Sequence, residues 1–191
     1  MSSGPASRWR ECVVVLMDLI GVKKRAIEGD THGSALMRSF HRVVRGEMRK
    51  GLEALSHAYV WNDSVLLLAY VDSHPQLYED AIRAADTLKR KVDAIAPSYA
   101  IAVKGRAFPT MPEAPNQRVT VIRASSYAMV NCFEIEAEAK KRKLRKAWYL
   151  DARIVRRVGH IESNEWITVP LLPRGMRRRV YLRDGYLWTG V

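Results

Sequence analysis

An uninterrupted apolar run near the start of the chain constrains the fold most strongly. Residues 12–17 read Cys-Val-Val-Val-Leu-Met, and Asp18 follows directly. The run is too short for a helix, and a strand without polar alternation has to be covered on both of its faces. The sequence therefore predicts a first strand in the interior of a sheet.

The pattern after this strand alternates between helical and strand periodicity. Apolar residues recur at helical spacing over 34–55 and again over 75–95. Strand-like runs at 57–61 and 64–71 flank a short polar turn, Asn62-Asp63, which predicts a hairpin. A further strand follows at 99–103, so the order is βαββαβ and the fold class is α+β.

The remainder of the chain is less regular. A Pro-rich stretch interrupts it after residue 107, residues 118–123 are strand-like, and residues 126–148 predict a helix that ends in a Lys/Arg cluster. Two short strands are expected between Trp166 and Trp188. We expect three parts in all: a flexible N-terminus over residues 1–10, one domain over 11–150, and an extension over 151–191 that packs on this domain.

Composition limits the classes of partner. The 191 residues are 48% apolar, which suffices for a substantial core. The formal net charge of +12 predicts attraction to polyanions, a class that includes nucleic acids, anionic membranes and nucleoside triphosphates. No apolar segment has the length of a membrane span or a secretory leader, and the two cysteines lack metal-site spacing. These features favour a cytoplasmic protein without a membrane partner.

Asp18 and Asp63 are candidate metal ligands. Each lies beside an apolar strand-like run, so we expect neighbouring strands to bring them together. Two such carboxylates can hold two divalent cations, Mg²⁺ or Mn²⁺, against the phosphates of a nucleoside triphosphate. Either aspartate alone has an ordinary explanation as a loop or turn residue. The pair in this strand context favours metal ligation.

These segments resemble the catalytic core of the class III nucleotidyl cyclases. The resemblance rests on Met17-Asp18-Leu19-Ile20-Gly21-Val22, where the family has Asp-Ile-x-Gly-Phe, and on Asn62-Asp63 at the hairpin, where the family has Gly-Asp. It implies a ferredoxin-like core with an antiparallel sheet and helices on one face, and a catalytic domain over residues 11–150. The implied reaction converts a nucleoside triphosphate to its 3′,5′-cyclic monophosphate and diphosphate.

The resemblance also implies roles for single residues. Asp18, Asp63 and the backbone carbonyl of Leu19 would ligate the two cations, and the amides around Gly21 and Val22 would face the triphosphate. Asn131 aligns with a catalytic asparagine of the family. The family has an arginine four positions further on, where this chain has Ile135. The candidates to replace it are Arg106, Arg123 and the cluster Arg174 to Arg179.

Base selection is where the sequence departs from the purine cyclases. Tyr59 lies four positions before Asp63, where those enzymes read adenine with a lysine, and Ala124 replaces their second adenine-reading residue, an aspartate. A neutral phenol cannot supply an ammonium donor. Tyr59 at this position resembles the Pycsar-type pyrimidine cyclases of bacterial anti-phage defence, which implies UTP as substrate and cyclic UMP as product. Arg123, Ser125 and Ser126 are candidate contacts to the base.

The family works as an antiparallel homodimer with two shared sites, which implies the same assembly here. A cyclic-nucleotide-sensing effector would respond to the product without binding this protein. Two alternatives stay open: a purine cyclase with an altered base pocket, and a noncatalytic nucleic-acid-binding module of the same fold. The basic runs 140–143 and 177–179 motivate the second alternative.

Overall fold

The computed structural model describes residues 9–22, 30–50, 52–107, 126–159, 161, 165–171 and 176–188. The strand predicted over 118–123 and residues 1–8 of the predicted flexible N-terminus lie outside these ranges. Within them, no helix has the length and apolar character needed to cross a membrane.

The described residues form seven strands, joined in one sheet, and four helices of four residues or more. In chain order they are β1 (Arg10–Leu19), α1 (Asp30–Arg49), β2 (His57–Trp61), β3 (Ser64–Tyr70), α2 (Pro75–Asp93), β4 (Ser98–Ala107), α3 (Tyr127–Lys141), β5 (Trp148–Asp151), α4 (Ala152–Val155), β6 (Glu165–Leu171) and β7 (Met176–Arg183). The strand order is β2-β3-β1-β4-β5-β7-β6. The first four strands pair antiparallel, so the predicted βαββαβ core is confirmed.

Strand β1 lies in the interior of the sheet, and both of its faces are buried. Val13 and Val15 pack in the core formed with α1 and α2, whereas Val14 and Leu16 pack in a second core formed with α3. The two helices of the βαββαβ core therefore lie on one face, as predicted, and α3 covers the opposite face. This double covering is why residues 12–17 can be continuously apolar.

Helix α3 begins where Ser126 caps it against β4. The Ser126 hydroxyl accepts a hydrogen bond from the Ala128 amide (3.1 Å) and donates one to the Arg106 carbonyl (2.9 Å). Close contact continues at Gly105, where an added Cβ would lie 2.5 Å from the Ala128 Cβ. Only glycine allows the helix to approach the strand this closely.

The predicted end of α3 was wrong. The helix ends at Lys141, Lys143 takes a left-handed conformation (φ 56°), and the buried Trp148 begins strand β5. Strand β5 pairs parallel with β4 and adds β7 and β6 to the sheet. These last two strands confirm the prediction of two strands between Trp166 and Trp188.

Two buried carboxylates connect these later strands to the core. Asp151 is fully buried and accepts hydrogen bonds from Arg178 (2.6 Å) and Arg153 (2.8 Å). Asp86, on α2, accepts hydrogen bonds from the Trp148 indole (3.2 Å) and the Leu187 amide (3.1 Å). The boundary predicted at residue 151 stays a prediction.

Candidate active site

Asp18 lies near the end of β1 with both carboxylate oxygens held by hydroxyl groups. The strand register places it opposite Ser64 on β3 and Tyr99 on β4. Ser64 donates a hydrogen bond to Oδ1 (2.5 Å), and Tyr99 donates one to Oδ2 (2.8 Å). Neighbouring strands therefore fix the direction of this carboxylate.

Asp63 lies in the turn between β2 and β3, beside Asp18. Asn62 has φ 44°, a left-handed conformation that asparagine tolerates. The Asp63 carbonyl accepts a hydrogen bond from the Leu19 amide (3.0 Å), which ties the turn to the end of β1. The half-buried Asp63 carboxylate makes no hydrogen bond to any described residue, so it is available to a ligand.

The backbone after β1 turns sharply at Gly21. Its φ of 81° strains any residue with a side chain, and no described atom lies within 4 Å of the place where a Cβ would be. The Ile20 amide donates a hydrogen bond to the Pro97 carbonyl (2.8 Å), which anchors the turn to the loop before β4. The Val22 side chain is buried. The predicted position of Gly21 beside phosphates stays a prediction.

A third carboxylate lies close to this pair. Glu136, on α3, contacts the same Tyr99 hydroxyl that binds Asp18, and it accepts a hydrogen bond from Lys140 (2.6 Å). Tyr99 has one hydroxyl proton and therefore can donate to only one of the two carboxylates at a time.

The electrostatic surroundings disfavour the ionised form of Asp18. Its pKa is raised, mainly by burial and further by the charges of Asp63 and Glu136, whereas the hydrogen bonds from Ser64 and Tyr99 act in the opposite direction. A divalent cation would relieve both the burial cost and the repulsion.

The donor set fits two hard divalent cations. Asp18 and Asp63 supply carboxylate oxygens, and the Leu19 carbonyl, a predicted third ligand, belongs to the residue whose amide binds the Asp63 carbonyl. Oxygen donors of this kind suit Mg²⁺ and Mn²⁺. Across the described part of the chain, no cluster of three or more His, Cys, Asp or Glu side chains has metal-binding geometry. Two carboxylates and one carbonyl are fewer than the oxygen ligands that two such cations take, so phosphate oxygens and water would complete the coordination shells.

The remaining predicted site residues lie apart from the carboxylates. Tyr59, on β2, faces the α3 side of the sheet and stacks against the His57 ring (6.3 Å between centroids). Asn131 is buried on α3, and its Oδ1 has no hydrogen-bond partner among the described residues. Ile135 is fully buried in the core between α3 and the sheet. Arg123 and Ala124 lie outside the described residues.

The candidate replacements for the missing arginine are mostly distant or occupied. Arg106 lies seven residues along β4 from Tyr99, about 23 Å away at the usual rise of a strand. Arg178 is paired with Asp151, and Arg179 stacks on Trp166 at 3.8 Å. Arg174 lies outside the described residues.

Two further surfaces adjoin the site. A cavity of about 250 Å³ opens beside Tyr99 and Glu136, between Ile20 and the basic side chains Lys140 and Arg145. On the same face of the sheet, an apolar patch is exposed around the hairpin and α3, with the Trp61 and Phe133 rings 6.2 Å apart. The patch consists of Trp61, Tyr127, Val130 and Phe133.

Sequence reasoning located Asp18 and Asp63 but missed the groups around them. Ser64 directly follows Asp63 in the chain, so an antiparallel register of the predicted strands would have found it. Tyr99 and Glu136 carry no local signal, because they meet Asp18 only through the pairing of β4 with β1 and the docking of α3.

Comparison with solved structures identifies the fold. The guanylyl cyclase Cya2 superposes with a TM-score of 0.66 at 10% identity, over 95% of this chain and 96% of that chain. The adenylyl cyclase CyaB from P. aeruginosa gives 0.65 at 7% identity, over 97% and 98%. The guanylate cyclase domain of RhGC from Catenaria anguillulae, solved in complex with GTP, gives 0.63 at 8% identity, over 94% and 99%. No protein-family model and no curated protein matches the sequence. The predicted cyclase catalytic-domain fold is confirmed.

Proposed function

We propose that this protein is a nucleotidyl cyclase that converts a nucleoside triphosphate, preferentially UTP, to its 3′,5′-cyclic monophosphate and diphosphate. One observation carries the proposal: Asp18 and Asp63 meet at adjoining strand ends, within a fold shared with solved adenylyl and guanylyl cyclases. At identities near 10% this likeness supports the fold, and the carboxylate pair supports the activity.

The reaction is an intramolecular phosphoryl transfer. The ribose O3′ forms a bond to the α-phosphorus, the bond from that phosphorus to the oxygen bridging to the β-phosphate breaks, and the 3′-hydroxyl proton is lost to water. Asp18, Asp63 and the Leu19 carbonyl would hold two divalent cations, which when bound activate the 3′-hydroxyl and neutralise the leaving diphosphate. Ser64 and Tyr99 keep the Asp18 carboxylate in one orientation, so little reorganisation is needed.

A preference for UTP rests on Tyr59. The residue occupies the position where purine cyclases carry a lysine, and its phenol cannot reproduce the charge of an ammonium group. A purine cyclase is the second candidate, because the neighbours described above act on purine nucleotides by name. The two candidates differ in their main product.

A panel of the four ribonucleoside triphosphates with Mn²⁺ tests both candidates. We expect cyclic UMP as the main product, no product from Asp63→Asn, and a weaker pyrimidine preference in Tyr59→Lys. Cyclic AMP or cyclic GMP as the main product would establish the purine alternative. No turnover of any triphosphate by the parent protein would contradict the cyclase proposal.

We also propose an antiparallel homodimer with two shared sites. The apolar patch of Trp61, Tyr127, Val130 and Phe133 supports it, since a contiguous exposed apolar surface is typical of an interface. Tyr59 lies on the same face of the sheet. Phe133→Glu should convert a dimer to monomers in analytical ultracentrifugation and lower the specific activity, whereas Trp166→Glu, at another exposed aromatic, should do neither. A fully active Phe133→Glu monomer would refute the shared site.

In the cell, we propose that the product acts in the cytoplasm as a second messenger of anti-phage defence, read by a separate cyclic-nucleotide-sensing effector. The motivation is the resemblance of Tyr59 and its context to the pyrimidine cyclases of such systems. Phage plating on cells that express the protein with its effector, beside Asp63→Asn, tests this role. Equal plating efficiency with both forms would argue against it.

A further inference from the structure

The positive charges of this protein fall into two groups, those that are paired and those that are not. In the run 140–143, Lys140 pairs with Glu136 and Arg142 with Glu138, both at 2.6 Å. In the run 177–179, Arg178 binds the buried Asp151 and Arg179 stacks on aromatic rings. The two runs that stand out in the sequence are therefore largely engaged within the fold.

Helix α1 carries a row of cations that are not engaged. Four exposed arginines recur at intervals of four, three and four residues, a spacing that places them on one helical face over about 16 Å. None of them forms an ion pair with a described residue. Glu47, the one carboxylate in the C-terminal half of the helix, is buried and binds Lys50 and Lys91. The members of this arginine row are Arg38, Arg42, Arg45 and Arg49.

A groove runs beside the arginine row. It has a volume of about 430 Å³, and its walls include His41, Arg45 and Arg49 on α1 and Ala58 and Val60 on β2. The groove thus has a cationic edge and a largely apolar floor. It lies on the face of the sheet opposite the apolar patch, because residues 58 and 60 alternate with residues 59 and 61 along β2.

We propose that the arginine row and its groove form a binding surface for single-stranded nucleic acid. A line of guanidinium groups matches a line of phosphates, and guanidinium is the cation best suited to bind them. The adjoining groove offers an unstacked base the His41 ring and an apolar floor, and single-strand-binding proteins combine a cationic groove with side-chain rings on which bases stack. Recognition by phosphates and base faces would be largely independent of sequence. This surface would serve the protein in addition to the acidic site, and it does not depend on the proposed cyclase activity.

An anionic membrane fits this surface less well. A helix that binds a bilayer inserts apolar side chains between the headgroups. The apolar face of α1, including Phe40 and Val44, is buried in the protein core, and no large apolar side chain is exposed on the described part of this helix. The arginine row therefore supplies positive charge but no apolar side chains that could insert into a bilayer.

Fluorescence anisotropy with a labelled single-stranded RNA of about 20 nucleotides tests the proposal. The decisive variant changes all four arginines of the row to glutamine. A control variant removes the same number of exposed cations elsewhere, Lys141, Lys143, Arg156 and Arg157, also to glutamine. We expect the row variant to bind on the order of 100-fold more weakly at low salt, with a log–log salt slope smaller by about one for each arginine that contacts a phosphate. The control should lose only a few-fold.

Thermal melting of both variants shows whether either one is misfolded. Cyclase turnover of both variants shows whether the acidic site is intact when the arginine row is changed. Four results would overturn the proposal: no RNA binding by the parent protein at low salt, equal losses in the row and control variants, tighter binding of duplex than of single strands, or tighter binding to phosphatidylserine vesicles than to RNA. RNA binding that is lost while turnover persists would support the surface whether or not UTP is the substrate.

Discussion

Glu11 and Asp18 lie on the same strand, yet their surroundings are opposite. Glu11 pairs with Lys104 (2.5 Å) and accepts hydrogen bonds from Ser73 (2.8 Å) and Tyr78. Burial alone would raise the pKa of Glu11, but these donors lower it to about 2. The pKa of Asp18 is raised instead, because burial and repulsion from Asp63 and Glu136 outweigh the hydrogen bonds from Ser64 and Tyr99.

The contrast separates a structural carboxylate, Glu11, from a proposed metal ligand, Asp18. Glu11 finds its compensating charge within the protein, so it contributes to stability and offers nothing to a ligand. Asp18 has hydroxyl donors that orient it, and it forms no ion pair with a cationic side chain among the described residues. Burying the Asp18 charge in this way lowers the free energy of unfolding. A metal ion that bound to Asp18 in the folded protein would raise it again.

The largest expected effect is on turnover. Asp18→Asn should lower the rate of cyclic nucleotide formation at least about 100-fold, because it removes a ligand to both proposed cations. Glu11→Gln should leave the rate per folded molecule unchanged. Single-turnover assays with Mn²⁺ compare the two, and an active Asp18→Asn protein would remove the distinction between these carboxylates.

In the absence of metal, Glu11→Gln should destabilise the protein more than Asp18→Asn. Glu11→Gln should lower the free energy of unfolding by about 1–3 kcal/mol, because it leaves the charge of Lys104 uncompensated. Asp18→Asn should leave stability unchanged or raise it, because it removes a repelled charge. Urea denaturation at neutral pH in the presence of EDTA measures both. A less stable Asp18→Asn protein would show that its hydroxyl contacts outweigh the repulsion.

The free energy of unfolding should also depend on pH differently for Glu11 and for Asp18. Because the folded-state pKa of Glu11 lies near 2 and its ordinary value is 4.5, its contribution is present above pH 4.5 and is lost as the pH falls from there toward 2. Asp18, whose pKa is raised, has the opposite effect: ionisation of Asp18 lowers the free energy of unfolding as the pH rises. Denaturation curves between pH 7 and pH 3 should therefore fall more steeply for the parent protein than for Glu11→Gln. Parallel curves would contradict the lowered pKa.

Tyr99 and Tyr78, which donate hydrogen bonds to Asp18 and Glu11, allow the two carboxylates to be tested separately. Tyr99→Phe removes the hydrogen bond to Asp18, and we expect turnover to fall roughly 10-fold with little change in melting temperature. Tyr78→Phe removes the equivalent hydrogen bond to Glu11 and should lower the melting temperature while turnover per folded molecule persists. Manganese titration by electron paramagnetic resonance should show weaker binding in Tyr99→Phe alone. Equal manganese affinity in both variants would argue against an orienting role for Tyr99.

The smallest expected effect is at the serines that bind the two carboxylates. Ser64→Ala should reduce turnover a few-fold, because Tyr99 still holds one oxygen of Asp18. Ser73→Ala, beside the exposed end of the Glu11 contacts, should leave turnover unchanged. Steady-state kinetics with saturating Mn²⁺ compares them, and equal effects would indicate that Ser64 has no special role.

The fold was predictable where local pattern and tertiary packing agree. The apolar run at 12–17, the hairpin around Asn62 and the helical periodicity of α1 and α2 each indicated the element that formed. The end of α3 was not predictable, because the residues around Lys143 are good helix formers and nothing local indicates a left-handed turn there. Strand β5 then forms because Trp148 is buried against α2, a contact distant in sequence.

The candidate site was predictable only in part, for a related reason. Asp18 and Asp63 each have a short sequence context that indicates their position. Tyr99 reaches Asp18 from β4, Glu136 reaches Tyr99 from α3, and neither residue has such a context. The predicted arginine could not be found by spacing, since the position it should occupy, Ile135, belongs to the core.

The two buried carboxylates that join the later strands to the core have a consequence for biosynthesis. Asp151 depends on Arg178, and Asp86 depends on the Leu187 amide, so residues near the carboxyl end of the sequence complete contacts of helices and strands synthesised much earlier. A nascent chain that has not yet emerged to residue 187 would carry both carboxylates without these partners, and burying them in that state would be costly. The contacts of these two carboxylates are therefore completed only after residues 178 and 187 have been synthesised, so packing of the first half of the domain is expected to follow synthesis of β7.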